Sequence, residues 1–128
     1  GGRDVIYPLA PIVTYGDSSG VEDGYAVLDI FMEADPEETT STTRSLVIHN
    51  LHPDLVIEGA VFNVYTGDWV VSEQALESGQ VRIKAPADFA GTYDLEVEAV
   101  ASNSNFEKNS TGIETISVTW APVADGPI

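Results

Sequence analysis

The feature that most constrains this fold is an alternation of apolar and polar side chains with a period of two. In residues 25–33, Leu28, Ile30 and Met32 fall on one face of an extended chain and Asp29 and Glu33 on the other. Residues 93–101 repeat the pattern, with acidic residues at alternate positions. This period is that of a half-buried β-strand. Helical periodicity is nearly absent, so the sequence predicts an all-β protein.

Several other short segments have strand character and are separated by turn-forming residues. A short helical turn is predicted after Ser72, a favourable N-cap, and ends at Gly79. Turns or polar loops are predicted at residues 16–20, 34–43, 65–68, 86–91 and 101–112. About seven strands at this spacing predict an antiparallel, immunoglobulin-like β-sandwich. The predicted strands lie within residues 11–15, 25–33, 45–51, 56–64, 69–71, 81–83, 93–101 and 113–120.

The charge balance limits the classes of partner. The 128 residues suit one domain, and 21 acidic residues against five basic ones give a net charge of −16. A surface that binds nucleic acid or an anionic membrane needs clustered Lys and Arg, so neither partner is expected. Carboxylate-rich loops favour Ca²⁺ instead. The alternative is that the acidity serves only solubility or salt adaptation.

Cysteine is absent, which excludes disulfides, thiolate metal sites and a cysteine nucleophile. No run of about 18 apolar residues occurs, so no membrane-spanning segment is predicted. The sequence carries no signal-peptide pattern. Serines are many but lack a nucleophile-elbow motif, and pairs of carboxylates arise by chance in any acidic protein, so a non-enzymatic domain is predicted.

The chain is predicted to consist of a tether at residues 1–10, a sandwich at residues 11–121 and a linker at residues 122–128. Pro8 and Pro11 hold the tether extended. The final segment, Pro-Val-Ala-Asp-Gly-Pro, resembles a stiff connection between two modules of a longer protein. No internal repeat is visible, so the repeating unit is expected to be the whole chain.

The sequence resembles the tandem cadherin-like, immunoglobulin-like repeats of giant bacterial RTX-type adhesins that are secreted by type I systems. The resemblance covers roughly residues 11–128 and rests on the order of several short motifs. These are Gly20-Val21-Glu22-Asp23-Gly24, Leu28-Asp29-Ile30, Asp35-Pro36-Glu37-Glu38, Leu46-Val47-Ile48-His49-Asn50-Leu51, Gly67-Asp68-Trp69, Ala87-Asp88-Phe89-Ala90-Gly91-Thr92-Tyr93 and Pro122-Val123-Ala124-Asp125-Gly126-Pro127.

The resemblance implies an extracellular spacer domain at a bacterial cell surface, stiffened by Ca²⁺ near its junctions with neighbouring repeats. Such an extender projects a ligand-binding tip for adhesion or biofilm formation, and is expected to be monomeric when isolated. The sequence departs from the family in lacking the glycine-rich nonapeptide calcium repeats. The Asp-rich linker of animal cadherins is reduced to Asp125, and the strand end that carries an Asp in cadherins reads Val100-Ala101-Ser102.

Calcium needs six to eight oxygen ligands, and one loop seldom supplies them all. Three acidic loops meeting at one end of the sandwich are therefore expected to form a site, with a further carboxylate serving the junction to the next repeat. Asp4 is a weaker candidate for the same role at the junction with the preceding repeat. The alternative is that these are solvated loop carboxylates, or, for Asp88, a turn-forming side chain. The candidate calcium ligands are Glu22, Asp23, Asp35, Glu37, Glu38, Asp88 and Asp125.

Two further alternatives remain. One is a carbohydrate-binding module whose exposed aromatic face consists of Trp69, Tyr65, Trp120 and Tyr93, although aromatic residues in strands are commonly core residues. The other is a metal-free spacer. His49 and His52 are not expected to form a transition-metal site, because strand side chains at this separation point to opposite faces.

Overall fold

The structure, a computed structural model, describes residues 5–124 and confirms the all-β prediction. The described residues contain no helix with the length and hydrophobicity needed to cross a bilayer. Eleven strands and one short helix follow in the order β1 (Ile12–Tyr15), β2 (Ser18–Val21), β3 (Tyr25–Val27), β4 (Ile30–Glu33), β5 (Thr42–His49), β6 (Val56–Glu58), β7 (Val61–Asn63), β8 (Asp68–Ser72), α1 (Glu73–Glu77), β9 (Arg82–Lys84), β10 (Gly91–Asn103) and β11 (Lys108–Ala121).

The strands form one large and two small sheets. The large sheet has six strands in the order β2-β11-β10-β5-β8-β7. A three-stranded sheet has the order β3-β9-β6, and β1 pairs with β4. All pairs are antiparallel except β2 with β11, which run parallel.

In the part of the chain that the structure describes, one hydrophobic core lies between the large sheet and the smaller ones, so the arrangement is sandwich-like. Leu28, Ile30 and Met32 are buried, as the alternation predicts. All three sheets and α1 contribute to the core. Its buried side chains are Ala26, Leu28, Ile30, Met32, Leu46, Ile48, Leu55, Ile57, Val71, Leu76, Val81, Ile83, Ala85, Leu95, Val97, Ala99, Val118 and Trp120.

The predicted helical turn is confirmed as α1. Its N-cap is Ser72, whose Oγ accepts a hydrogen bond from the Ala75 N–H at 3.1 Å. Leu76 inserts into the core. Arg44 of β5 forms a two-pronged ion pair with Glu73, which fixes the first turn of the helix to the large sheet.

The turn predicted at residues 16–20 is wrong, because β2 begins at Ser18. Its composition is turn-like, but it pairs with β11 in the register Ser18 to Val118 and Gly20 to Trp120. A Cβ at Gly20 would lie 2.8 Å from the Tyr25 carbonyl oxygen, so this strand needs a glycine where β3 approaches it. Long-range pairing therefore overrides the local composition.

The polar loop predicted at residues 101–112 is also wrong. Strand β10 continues to Asn103 and β11 begins at Lys108, with Ser102 paired to Lys108. The turn is short because the Asn103 side-chain oxygen accepts hydrogen bonds from the N–H groups of Asn105 and Glu107, both at 3.0 Å. Polar residues in this segment thus extend a hairpin.

Residues 25–33 and residues 56–64, each predicted as one strand, each form two strands that belong to different sheets. Gly59 has φ of +85° and separates β6 from β7. The predicted turn at residues 65–68 is confirmed as the connection of the β7–β8 hairpin. Because predicted strands are interrupted in this way and β2 is added, the eleven segments exceed the seven or so expected.

The chain enters and leaves the domain at opposite ends. Ile6 and Pro8 accept hydrogen bonds from the side chains of Asn103 and Asn109, where β10 ends and β11 begins. Residues 121–124 lie at the other end of these strands, where Gly91 pairs with Trp120. We call these ends the N-terminal pole (residues 5–9, 34–41 and 103–107) and the C-terminal pole (residues 21–24, 86–90 and 121–124). The length of β10 separates them by about 40 Å.

Candidate functional site

The C-terminal pole brings together two of the three acidic loops. Asp23 follows β2, and Asp88 lies in the turn before β10. The Asp23 Oδ1 atom accepts a hydrogen bond from the Asp88 N–H at 2.8 Å. Both residues have positive φ, 65° for Asp23 and 62° for Asp88, which Asp tolerates better than most side chains. The two exposed loops therefore have a defined relative position.

Glu22 connects this pole to the chain leaving the domain. Its Oε1 atom accepts a hydrogen bond from the Val123 N–H at 2.7 Å. Its own N–H donates to the Ala121 carbonyl oxygen at 2.8 Å. Nearby, the buried Trp120 donates from Nε1 to the Gly24 carbonyl oxygen at 3.1 Å. The direction in which the chain leaves is thus fixed by the same loop that carries the acidic residues.

The third acidic loop, between β4 and β5, lies at the N-terminal pole. Glu38 accepts hydrogen bonds from the Leu9 N–H at 2.7 Å and from the Thr40 N–H and hydroxyl. These bonds, first that from Leu9 and then those from Thr40, lower the pKa of Glu38 below its ordinary value. Asp35 accepts from the Glu37 N–H at 2.9 Å and forms a local turn.

The segment that precedes β1 is held against this pole. Residues 5–10, part of the predicted tether, contain no strand. The Asn103 Nδ2 group donates to the Ile6 carbonyl oxygen at 2.8 Å, and the Asn109 Nδ2 group donates to the Pro8 carbonyl oxygen at 3.1 Å. Pro8 is buried. Sequence reasoning missed these two asparagines, because it assigned both to a polar loop and no local pattern distinguishes an anchoring amide from a solvated one.

The three acidic loops do not meet at one end of the domain. Asp23 and Asp88 are adjacent with Glu22 beside them, while Asp35, Glu37 and Glu38 lie at the opposite pole. The reason is topological, since a strand carries the chain from one pole to the other. The loops before β3 and β10 share a pole, and the loop after β4 does not. Asp125 and Asp4 lie outside the described residues.

The residues that the structure describes at either pole do not by themselves form a group of metal ligands. Among residues 5–124, no group of three or more His, Asp or Glu side chains is placed to hold a metal ion. Glu22 accepts the hydrogen bond from Val123, and Asp23 accepts the hydrogen bond from Asp88, on one carboxylate oxygen only. The chemistry of the donors suits Ca²⁺, and oxygens beyond those that the described residues bring together would be needed to complete a site.

The four aromatic residues of the carbohydrate hypothesis lie in two separate regions. Trp120 is buried, and Tyr93 packs near it and against Phe89. Trp69 is half-buried on β8 and contacts Phe62 of β7, with ring centroids 5.0 Å apart. Tyr65, in the adjoining turn, is 96% exposed. These side chains do not form one platform.

His49 lies on the outer face of the large sheet. Its Nδ1 atom is 3.2 Å from Asp68 Oδ1, and its Nε2 atom is 2.9 Å from Glu98 Oε1. His52 lies elsewhere, with its ring edge-on to Tyr93 at 5.1 Å and its Nδ1 atom 3.7 Å from Asp54.

Comparison of this chain with protein-family models, with curated proteins and with solved structures gives no match.

Proposed function

We propose that this domain is a calcium-binding extender of a cell-surface adhesin, and that its calcium sites are completed across the junction between consecutive copies. The observation that carries the proposal is the distribution of the acidic loops between the two poles. The chain passes from the N-terminal pole, which carries Asp35, Glu37 and Glu38, to the C-terminal pole, which carries Glu22, Asp23 and Asp88.

In a head-to-tail array, the C-terminal pole of one domain faces the N-terminal pole of the next. The two loops at one pole and the single loop at the other would then meet, giving three acidic loops at each junction. This set of carboxylates matches the oxygen-rich coordination that Ca²⁺ prefers. It also accounts for the absence of a ligand group of three among the residues described in one chain.

The electrostatics support a role for a divalent cation at such a junction. Without metal, the carboxylates of the two poles repel each other, and little basic charge compensates them in a chain of net charge −16. A bound Ca²⁺ would replace this repulsion by attraction and hold the two domains in line. Because Glu22 and Glu38 already bind the backbone at Val123 and Leu9, the cation would act directly on the segments that connect domains.

We also propose that the domain is an immunoglobulin-like or cadherin-like sandwich of an extracellular protein. This assignment is supported by the motif resemblance and by the path of the chain. After β2 the chain passes to β3 in a small sheet, returns to the large sheet at β5, and crosses again at β6 and at β9. Repeated crossing between two layers is typical of Greek-key sandwiches.

The test is thermal unfolding of the single chain and of a tandem of two copies, in EDTA, in 5 mM CaCl₂ and in 5 mM MgCl₂. Extracellular calcium modules commonly have Kd values of about 10⁻⁴–10⁻³ M. At about ten times Kd, one site stabilises the folded state by about 1.4 kcal/mol. We therefore expect Ca²⁺ to raise the Tm of the tandem by about 5 °C. The single chain, whose poles face no neighbouring copy, should respond much less.

The same substitution placed in either copy provides a matched control. Asp88→Asn in the first copy and Asp35→Asn in the second copy alter the junction and should remove the calcium response. The identical substitutions at the outer poles, Asp88→Asn in the second copy and Asp35→Asn in the first, should leave it intact. Glu114→Gln, in mid-β11 opposite Val97, controls for the loss of charge. Equal calcium responses of the single chain and the tandem would contradict a shared site.

A further inference from the structure

The arrangement around His49 constrains its protonation state. The ring lies on β5 between an acidic residue from each neighbouring strand, Asp68 of β8 and Glu98 of β10. Both ring nitrogens face a carboxylate oxygen, at 3.2 Å and 2.9 Å. The three side chains are largely shielded, with exposed fractions of 21%, 19% and 23% for His49, Asp68 and Glu98. Solvent therefore screens these contacts only in part.

A neutral imidazole carries one N–H donor and one acceptor nitrogen, whereas an imidazolium carries two donors. A carboxylate near neutrality can only accept. A neutral His49 would therefore direct a nitrogen lone pair at Asp68 or at Glu98. The geometry satisfies both carboxylates only when the ring is doubly protonated.

We propose that His49 is a pH-sensitive clamp, whose imidazolium connects β8 to β10 across β5 and whose deprotonation loosens the β7–β8 edge of the large sheet. This proposal is independent of calcium binding, since His49 contacts none of the candidate ligands.

The β7–β8 hairpin is the part of the sheet that depends on this contact. β7 is the last strand of the sheet and has three residues. Asp68 is the first residue of β8, and its N–H donates to Thr66 Oγ1 at 3.3 Å in the hairpin turn. The hairpin buries little apolar surface of its own, because Val61 and Val64 are each 73% exposed. Loss of the bond to Asp68 would therefore affect this edge first.

The other charged groups near the ring favour its protonation or keep a constant charge. From β10, Glu96 is the register partner of His49 and accepts a hydrogen bond from Asn50 Nδ2 at 3.3 Å. From β11, Lys108 lines the same surface groove as His49. β7 contributes the uncharged Asn63 to this groove. Carboxylates and lysine ammonium groups ordinarily keep their charges near neutrality, so the imidazole is the group that changes.

The electrostatic balance agrees with the geometry. Burial of the His49 ring opposes its charged form, but the hydrogen bond to Glu98 and the charge of Asp68 outweigh burial and raise the pKa of His49 above its ordinary value. A group whose pKa is higher in the folded state stabilises the fold below its unfolded pKa, and this stabilisation is lost as the pH rises through the folded pKa. The clamp is therefore closed below the unfolded-state pKa of His49 and opens as the pH rises through its higher folded-state pKa.

The protonation state is tested by NMR titration of the histidine ring protons of the whole chain. His49 should titrate above the ordinary pKa of His, and Asp68→Asn and Glu98→Gln should each lower its midpoint. Glu96→Gln is the matched control, because it removes a carboxylate from the same strand face without breaking a bond to the ring. A His49 midpoint that neither Asp68→Asn nor Glu98→Gln lowers would refute the clamp.

The loosening is tested by amide hydrogen exchange between pH 6 and pH 9, corrected for the intrinsic pH dependence of exchange. Protection of β7–β8 amides should fall about two- to fivefold as His49 loses its proton, since one charge-assisted contact is lost. Amides of β3 and β9 should keep their protection. In His49→Gln, or in Asp68→Asn if the first variant does not fold, the β7–β8 decrease should disappear. A decrease of equal size in these variants would overturn the proposal.

Discussion

Gly59 is a glycine at which both the backbone conformation and a close backbone approach exclude a side chain. It sits where the chain passes from the three-stranded sheet at β6 to the large sheet at β7, with φ of +85°. A Cβ added there would lie 2.7 Å from the Gln80 carbonyl oxygen and 3.1 Å from the Val81 Cα. These are backbone atoms in the segment leading into β9, so they can move only by shifting the sheet.

Gly67, in the β7–β8 turn, is the matched control. Its φ of +78° is similar, but an added Cβ would meet no atom within 4 Å. Both alanine variants carry the cost of a left-handed alanine, about 1–2 kcal/mol. Alanine also lowers the conformational entropy of the unfolded chain, which stabilises the folded state of both variants by about 0.4–1 kcal/mol. Gly67→Ala should therefore lower the free energy of unfolding by about 1 kcal/mol.

Gly59→Ala carries in addition the cost of overpacking, about 1–3 kcal/mol. Its free energy of unfolding should accordingly fall below that of Gly67→Ala by this amount, which corresponds to a difference in Tm of about 4–12 °C. The measurement is urea unfolding of both variants and the unsubstituted chain, followed by tryptophan fluorescence, with equal m-values required. Equal destabilisation by the two substitutions would refute the view that close approach at Gly59, rather than its φ alone, requires glycine.

Ser72→Ala removes the N-cap bond to Ala75 and should lower the free energy of unfolding by about 1 kcal/mol in urea, whereas Ser104→Ala in the exposed β10–β11 turn should be neutral. The hydrogen bonds from Ser110 and then from His49 lower the pKa of Glu98, so its stabilisation is present above its ordinary pKa and is lost as the pH falls through the lowered value. Glu98→Gln should therefore flatten the decline in Tm below about pH 4.5, and an unchanged acid slope would contradict this.

The parts of the fold that the sequence predicts are those governed by local pattern. Period-two burial identifies the inward-facing residues Leu28, Ile30 and Met32, of which the last two lie on β4, and capping chemistry identifies α1 at Ser72. Strand β2 could not be predicted in this way. It is polar and glycine-containing, and it becomes a strand only because β11, which is remote in the sequence, lies beside it.

The candidate site shows the same division between local and long-range information. Acidity alone identifies the loops that carry Asp23, Asp35 and Asp88. Their separation into two poles depends on the direction of every intervening strand, which local composition does not encode. The His49 contacts are harder still to predict, because Glu98 is 49 residues away in the sequence and meets the ring only through the pairing of β5 with β10.

The parallel pairing of β2 with β11 has a mechanical consequence. A force that pulls the chain before β1 and after β11 in opposite directions draws these strands along their own axes. The pairs from Ser18–Val118 to Val21–Ala121 are then loaded together, in shear, instead of being broken one after another as in an unzipping hairpin. The hydrogen bond from the Val123 N–H to Glu22 adds one more contact between the two segments under load. Resistance to stretching would thus reside in the polar segment Ser18–Val21, whose composition least resembles a strand.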